Sequence, residues 1–287
     1  MPKYVLGTVL LLWMSASLAV TRDLSFAARM DVAHWHVSDS VLECRLAQPL
    51  PLYGEAVFSR RAGESLRFFL AARDNPLRAG TAELVSQPPV WAPSHAPKHL
   101  GEASVERSKQ PITLGEKLAS QMMAELLKGM TPRFLHIAWY SAVDPIEVGV
   151  SPVYFQDAYK QYLHCVDHLL PHNFDELKHS RVHFATDKTQ LLPAATERLD
   201  MVASYALADK TVNKIFVDGH TDNVWDSYYN SDLSRRRAKA VVAYLRAKGV
   251  DRKMITRRHH GERRPMVPNN NDSNRAKNRR VTVRLAR

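Results

Sequence analysis

An aspartate and an arginine on neighbouring elements could together hold a zwitterion. The run Val217-Asp218-Gly219-His220-Thr221-Asp222-Asn223 follows a β-prone stretch, 214–217, so residues 219–222 fall where a strand stops. Ser234 is placed to cap the next helix, expected over about 234–248. Behind it Ala238, Val241, Val242 and Leu245 recur at helical spacing as one apolar stripe. Arg237 would then lie in the first turn, off that stripe and facing the loop that carries Asp222. The carboxylate can take an ammonium, and the guanidinium can take a carboxylate through two parallel hydrogen bonds. The alternative is that Asp222 caps a turn and Arg237 is a solvated surface charge.

The elements that must position these residues are legible in outline. From 173 onward the chain reads strand (181–184), helix (194–207), strand (214–217), helix (234–248), strand (254–258) and strand (281–285). Leu199, Val202, Ala203 and Ala206 mark the buried side of the first helix, and Val281, Val283 and Leu285 that of the last strand. This predicts a two-layer α/β sandwich. Upstream, short β-prone runs fall at 41–46, 56–59, 66–70 and 82–85, punctuated by Pro49, Pro51, Gly54 and Gly63. A Pro-rich stretch, 87–111, predicts extended loop, with Trp91 as a packed aromatic. Helices follow at 115–129, where Leu118, Met122, Glu125 and Leu126 give a stripe with one polar intruder, and at 157–170, stopped by Pro171. Strand character returns at 134–140 and 146–150. The fold class expected is α+β: a mostly-β amino-terminal domain (20–171), then the sandwich (172–287).

The 287 residues carry a formal net charge of +11 and are 45% hydrophobic, which suits a globular chain with either a solvated basic face or an anionic partner such as the bacterial wall. No helix-turn-helix, zinc-finger or RNA-recognition signature points to nucleic acid. Lys3, an apolar run at 5–13 and the small residues Ser17-Leu18-Ala19 read as a secretory signal peptide, 1–19, cut after Ala19. The run is short for a membrane span, and no Cys follows the cut to carry a lipid. The two cysteines, Cys44 and Cys165, are an even count in an exported chain and favour one disulfide; two buried thiols are the alternative.

Catalytic signatures are wanting. His164 and His168, and His179 and His183, are i, i+4 pairs, but neither has the His-Glu-x-x-His form that supplies a general base. There is no nucleophile elbow, phosphate loop or nucleotide fingerprint. The chain is expected to be no enzyme and to need neither metal nor cofactor. His220 reads as a structural residue of the loop.

Two resemblances add to this. Gly219-His220-Thr221-Asp222, Asn230, Leu233-Ser234-x-x-Arg237-Ala238, Gly261-Glu262-x-x-Pro265 and Asn278-Arg279-Arg280-Val281 together resemble the OmpA-like peptidoglycan-binding family, over about 173–287. The resemblance implies that Asp222 and Arg237 grip the diaminopimelate of uncrosslinked stem peptides. Thr221, Asn230 and Arg279 would support them. Trp225 and Asn274 depart from the pattern, each standing where that family often has Gly.

In the other half, Leu42-Glu43-Cys44-Arg45-Leu46, Pro49-Leu50-Pro51, residues 54–62, Pro88-Pro89-Val90-Trp91-x-Pro93, Ile146-Glu147-Val148, Tyr154-Phe155-Gln156, Cys165 and Phe174 are similar to the MotY family of flagellar motor T-ring proteins. This implies a periplasmic component near the outer membrane of a Gram-negative cell. Its first domain would dock on the flagellar basal body and a MotX-like partner, within a ring assembly. Its second would hold the wall for the stator complex. A general envelope anchor, tying the wall to some other outer-membrane or periplasmic partner, is the alternative.

Overall fold

The computed structural model describes residues 24–89 and 96–287; the expected signal peptide and Trp91 lie outside them. Among the described residues there are two sheets, each with its own buried apolar cluster.

The first sheet gathers β1 (Leu24–Phe26), β2 (His36–Ser38), β3 (Glu43–Leu50), β4 (Gly54–Arg61), β5 (Arg67–Ala72), β6 (Gly80–Gln87), β7 (Lys98–Val105), β8 (Ile112–Leu114), β9 (Thr131–Ile137) and β10 (Pro145–Gly149). Their order is β1-β10-β9-β6-β7-β8-β5-β4-β3-β2, and only the β1–β10 pair is parallel. Alternate residues of β3 (Cys44, Leu46, Gln48 and Leu50) are buried, the period of two that a one-sided sheet requires. Helices α1 (Glu116–Leu127) and α2 (Phe155–Asp167) pack against the sheet. The polar intruder of α1, Glu125, is buried but satisfied. It accepts from Ser86 Oγ and Lys128 Nζ, each at 2.9 Å. Cys165 on α2 is bonded to Cys44 on β3, with Cα atoms 5.9 Å apart.

The second sheet has order β11-β14-β12-β13, from β11 (His179–His183), β12 (Lys214–Gly219), β13 (Ile255–His259) and β14 (Arg280–Ala286). β12 and β13 run parallel; β14 is antiparallel to both of its neighbours. After the short α3 (Phe174–Leu177), the long helices α4 (Pro193–Ala208) and α5 (Ser227–Ala247) pack on this sheet and on each other. The expected two-layer sandwich is what forms. Val281, Val283 and Leu285 are buried on β14, as their alternation requires.

Four expectations need correction. The stretch 87–111 is not all loop, because residues 98–105 pair with β6 as β7 once the prolines end at Pro97. Ala103 and Val105 point into the core there. Helix α2 stops at Asp167, before Pro171. A short helix, α6 (Asp272–Asn278), forms in a polar segment between the expected strands at 254–258 and 281–285, where no element was expected; its cap is the Asn271 side chain, which accepts from Asn274 N at 2.8 Å.

The fourth correction bears on the site. Helix α5 begins seven residues earlier than expected, and its cap is Asp226, whose Oδ1 accepts from Tyr229 N at 2.9 Å. Ser234 is therefore mid-helix and buried. Arg237 is not in the first turn and not off the stripe. Asn230, Leu233, Ser234, Arg237, Ala238 and Val241 form one continuous buried face whose amino-terminal half is polar.

The Cys44–Cys165 bond closes a segment of 121 residues across the first core. Reduction, or replacement of both cysteines by Ala, is expected to cost about 2–5 kcal/mol. That is on the order of 5–15 °C in melting temperature. Thermal unfolding followed by circular dichroism, with and without reductant, checks this; an unchanged midpoint contradicts it.

Candidate functional site

The site is built at the end of β12, where the chain passes α5. A side chain at Gly219 cannot be accommodated, since a Cβ there would lie 2.2 Å from the Ser234 carbonyl oxygen. This lets the strand end touch the helix backbone. Ser234 Oγ then accepts from Gly261 N at 3.0 Å, and Gly261 adopts the left-handed conformation, φ +53°, that turns the loop after β13 toward α5. The 220–222 loop is held from both sides. His220 N donates to the Arg280 carbonyl at 2.9 Å and Thr221 N to the Gly261 carbonyl at 3.0 Å. Asn278, fully buried, accepts from Met266 N (2.8 Å) and Val267 N (3.2 Å) and donates to the Val267 carbonyl and Asn269 Oδ1 (2.7 Å each). The sequence motifs are thus largely a scaffold for one short loop.

Arg237 reaches from α5 into this scaffold and is fully buried. Its Nε donates to the Lys188 carbonyl (2.9 Å), Nη2 to the Ala185 carbonyl (2.9 Å) and Nη1 to the His220 carbonyl (3.3 Å). The guanidinium also stacks over Phe184, 5.2 Å from the ring centre. A guanidinium has five N–H donors, so two remain, one on each terminal nitrogen. Burial lowers its pKa to about 10, with Asp222 acting in the opposite sense and Arg279 adding to the fall. It stays a cation at neutral pH.

Asp222 is 3% exposed. Its Oδ2 accepts from Arg279 Nη1 at 3.0 Å, and Arg279 also donates to the Phe184 carbonyl through Nε at 3.3 Å. Oδ1 takes no hydrogen bond among the described residues. The structure therefore gathers Asp222, Arg237 and Arg279 around one point, with Arg279 in direct contact with Asp222. Thr221 and Asn230 are placed differently. Both are buried, and Asn230 Nδ2 bridges the Trp225 carbonyl and Glu262 Oε2, each at 2.6 Å. Thr221 Oγ1, Asn230 Oδ1 and His220 Nδ1 are buried without a protein partner among the described residues. Such orphaned groups are rare, and three of them fall on the loop of Asp222 and the helix packed against it.

The segment 184–188 was not anticipated as part of the site. It contributes backbone carbonyls, which carry no residue signature. The phase of Arg237, at the same helical spacing as Ala238 and Val241, was the signal available for its burial.

Beneath the loop, His220 stacks on His260 with ring centres 5.0 Å apart, and His260 Nε2 lies 2.9 Å from Asp218 Oδ1. Burial opposes the charge on Asp218, yet Arg258 (2.6 and 2.8 Å) and His260 hold its carboxyl below the ordinary range. Burial, then the Arg280 and His260 charges, depress His220 from 6.5 to about 4. The unfolded chain thus binds a proton at this position between those values and the folded chain does not. Stability owed to His220 is complete above about pH 6.5 and is lost progressively as pH falls toward 4. Chemical denaturation across pH 4–7.5 is expected to show a shallower fall for His220→Gln than for the wild type; parallel profiles would contradict it.

Comparison with known proteins bears on both halves. Residues 26–171 match the family described as the MotY N-terminal domain, and residues 183–279 match the OmpA family. Over 282 residues the sequence is 29% identical to the sodium-type flagellar protein MotY of Vibrio parahaemolyticus serotype O3:K6, covering 97% of this chain and 96% of that protein. It is 38% identical over 102 residues to outer membrane protein A of Bordetella avium, covering 36% of this chain and 52% of that protein. Among solved structures, the peptidoglycan-associated lipoprotein from Burkholderia pseudomallei aligns with a TM-score of 0.36 at 25% identity, over 37% of this chain and 89% of that one. The first family match alone spans half of the sequence: the chain belongs to the MotY family and carries an OmpA-family segment at its carboxyl end.

Proposed function

We propose that this chain is a non-enzymatic, periplasmic component of the flagellar motor. It divides its labour at about residue 171. Residues 20–171 dock on the basal body and a MotX-like partner within a ring. Residues 172–287 hold peptidoglycan, so that stator units do not recoil when they drive the rotor. The near full-length likeness to a flagellar protein favours this over a general envelope anchor, for which only the OmpA-family segment would be needed. Among the described residues no helix is long and apolar enough to cross a membrane.

The observation that carries the wall-binding reading is the buried Arg237, fixed by three carbonyls with two N–H groups unspent, beside the buried carboxylate of Asp222. A diaminopimelate side chain ends in an ammonium and a carboxylate on one carbon. Asp222 Oδ1 takes the ammonium, and the two free N–H groups of Arg237 take the carboxylate. Arg279 keeps Asp222 oriented. Tension is borne without chemistry, since ion pairs shielded from solvent are screened little by salt.

Purified protein is expected to co-sediment with sacculi. Asp222→Asn keeps the shape and removes the charge, and each charge-assisted bond is worth roughly 1.5–3 kcal/mol. The loss is then on the order of 10- to 100-fold in affinity. Arg237→Ala should abolish binding and also lower the melting temperature, because three carbonyls lose their donor. Undiminished co-sedimentation of both variants would sink the clamp. For the motor role, cells deleted for the gene should be flagellated but paralysed or slow; normal swimming would count against it.

A further inference from the structure

Asp222 is followed by an exposed apolar run that the clamp does not use. Val224 is 51% exposed, Trp225 49% and Tyr228 86%. A soluble chain seldom leaves large side chains uncovered together without a use for them. The run is also held in place. The Trp225 carbonyl accepts from Asn230 Nδ2, its ring leans on Tyr229 with centres 5.7 Å apart, and Asp226 caps the helix start. The Tyr229 hydroxyl in turn donates to Asp187, in the segment whose Lys188 carbonyl grips Arg237. Clamp and aromatics therefore share one support.

On its other side Tyr228 borders a cleft of about 290 Å³ with Ser231, His260, Glu262 and Arg263. The aromatic face of Tyr228 beside hydroxyl, carboxylate and guanidinium groups suits a sugar. The C–H face of a pyranose stacks on the electron-rich ring, and its hydroxyl and acetamido groups exchange hydrogen bonds with the polar neighbours. An apolar helix or acyl chain would leave those polar groups unpaired.

We propose that Trp225 and Tyr228 form a saccharide subsite for the β-1,4-linked amino-sugar strand of peptidoglycan, next to the peptide clamp. The inference rests on the reading of Asp222 and Arg237 as that clamp. A stem peptide is bonded to its glycan, and diaminopimelate is its third residue, so the sugar lies within roughly 10 Å of chain from the clamp. Trp225, standing where OmpA-like sequences often have Gly, is then a gain of sugar contact rather than a lapse in the loop.

Three probes test it by heteronuclear NMR titration of the folded chain: peptide-free glycan strands, free stem peptide, and stem peptide attached to its disaccharide. The wild type should bind peptide-free glycan weakly, and the disaccharide-linked peptide roughly five- to tenfold more tightly than the free peptide. Replacing Trp225→Ala and Tyr228→Ala together should erase both effects; Tyr228→Ala alone should weaken both and leave free-peptide affinity unchanged, since that ring is 86% exposed and takes no part in the support of the clamp. Asp222→Asn should do the reverse, losing the free peptide and keeping the glycan response. Equal wild-type affinity for the two peptides with no glycan response would overturn the subsite and leave the clamp standing. A glycan response that survives in the double variant would overturn its assignment to these rings. Glycan binding without free-peptide binding in the wild type would support the subsite and remove the clamp.

Discussion

A guanidinium taken out of water must have its charge and its donors met, and much of the carboxyl-terminal half is arranged around meeting them for Arg237. An unpartnered buried charge costs several kcal/mol. Three backbone carbonyls from two separate segments answer three donors, and Phe184 covers one face. For those carbonyls to converge, α5 must pass against the end of β12, which the missing side chain of Gly219 allows. The loop after β13 must then come back to Ser234, and Asn278 must hold the chain that follows it. The conspicuous motif residues serve mainly this geometry.

The same arrangement sets the electrostatics. Two arginines flank Asp222, and only one touches it. One carboxylate oxygen of Asp222 and two guanidinium donors of Arg237 take no hydrogen bond among the described residues. In the function proposed above these are the groups that take the two charges of one zwitterion. Preorganisation matters because the side-chain entropy of two arginines and an aspartate is already lost before any ligand arrives. The stack of His220, His260 and the Asp218 ion pair below gives the loop a rigid floor.

Much of this was legible in the sequence, and the failures have physical causes. Alternation marked β14 and the first half of β3, whose continuation through Pro49, read as a break, was missed; the cysteine count suggested the bond that forms. The start of α5 was misplaced because its buried face opens with Asn230, Ser234 and Arg237, residues that a search for apolar periodicity passes over. Burial of polar groups was decided by tertiary partners, the carbonyls of 185, 188 and 220, which no side-chain pattern records. β7 was hidden behind a run of prolines, and α6 by a polar composition that a single asparagine cap overrides. Asp222, Arg237 and Arg279 were named from the sequence and do come together. Thr221 and Asn230 were named as ligand-supporting residues, and their side chains lie buried under the loop.

The central claim is that the site reads both charges of a zwitterion at once. Calorimetric titration of the folded chain with an uncrosslinked stem peptide tests it most directly. Three forms would be compared: one ending in diaminopimelate, one with that residue's side-chain carboxylate amidated, and one with 2-aminopimelate in its place, which keeps the carboxylate and lacks the ammonium. Saturable binding of the first and loss of at least tenfold in affinity for the other two is the predicted result. Equal affinity for all three would mean that Arg237 is spent wholly on the fold, and the account of the site would fail.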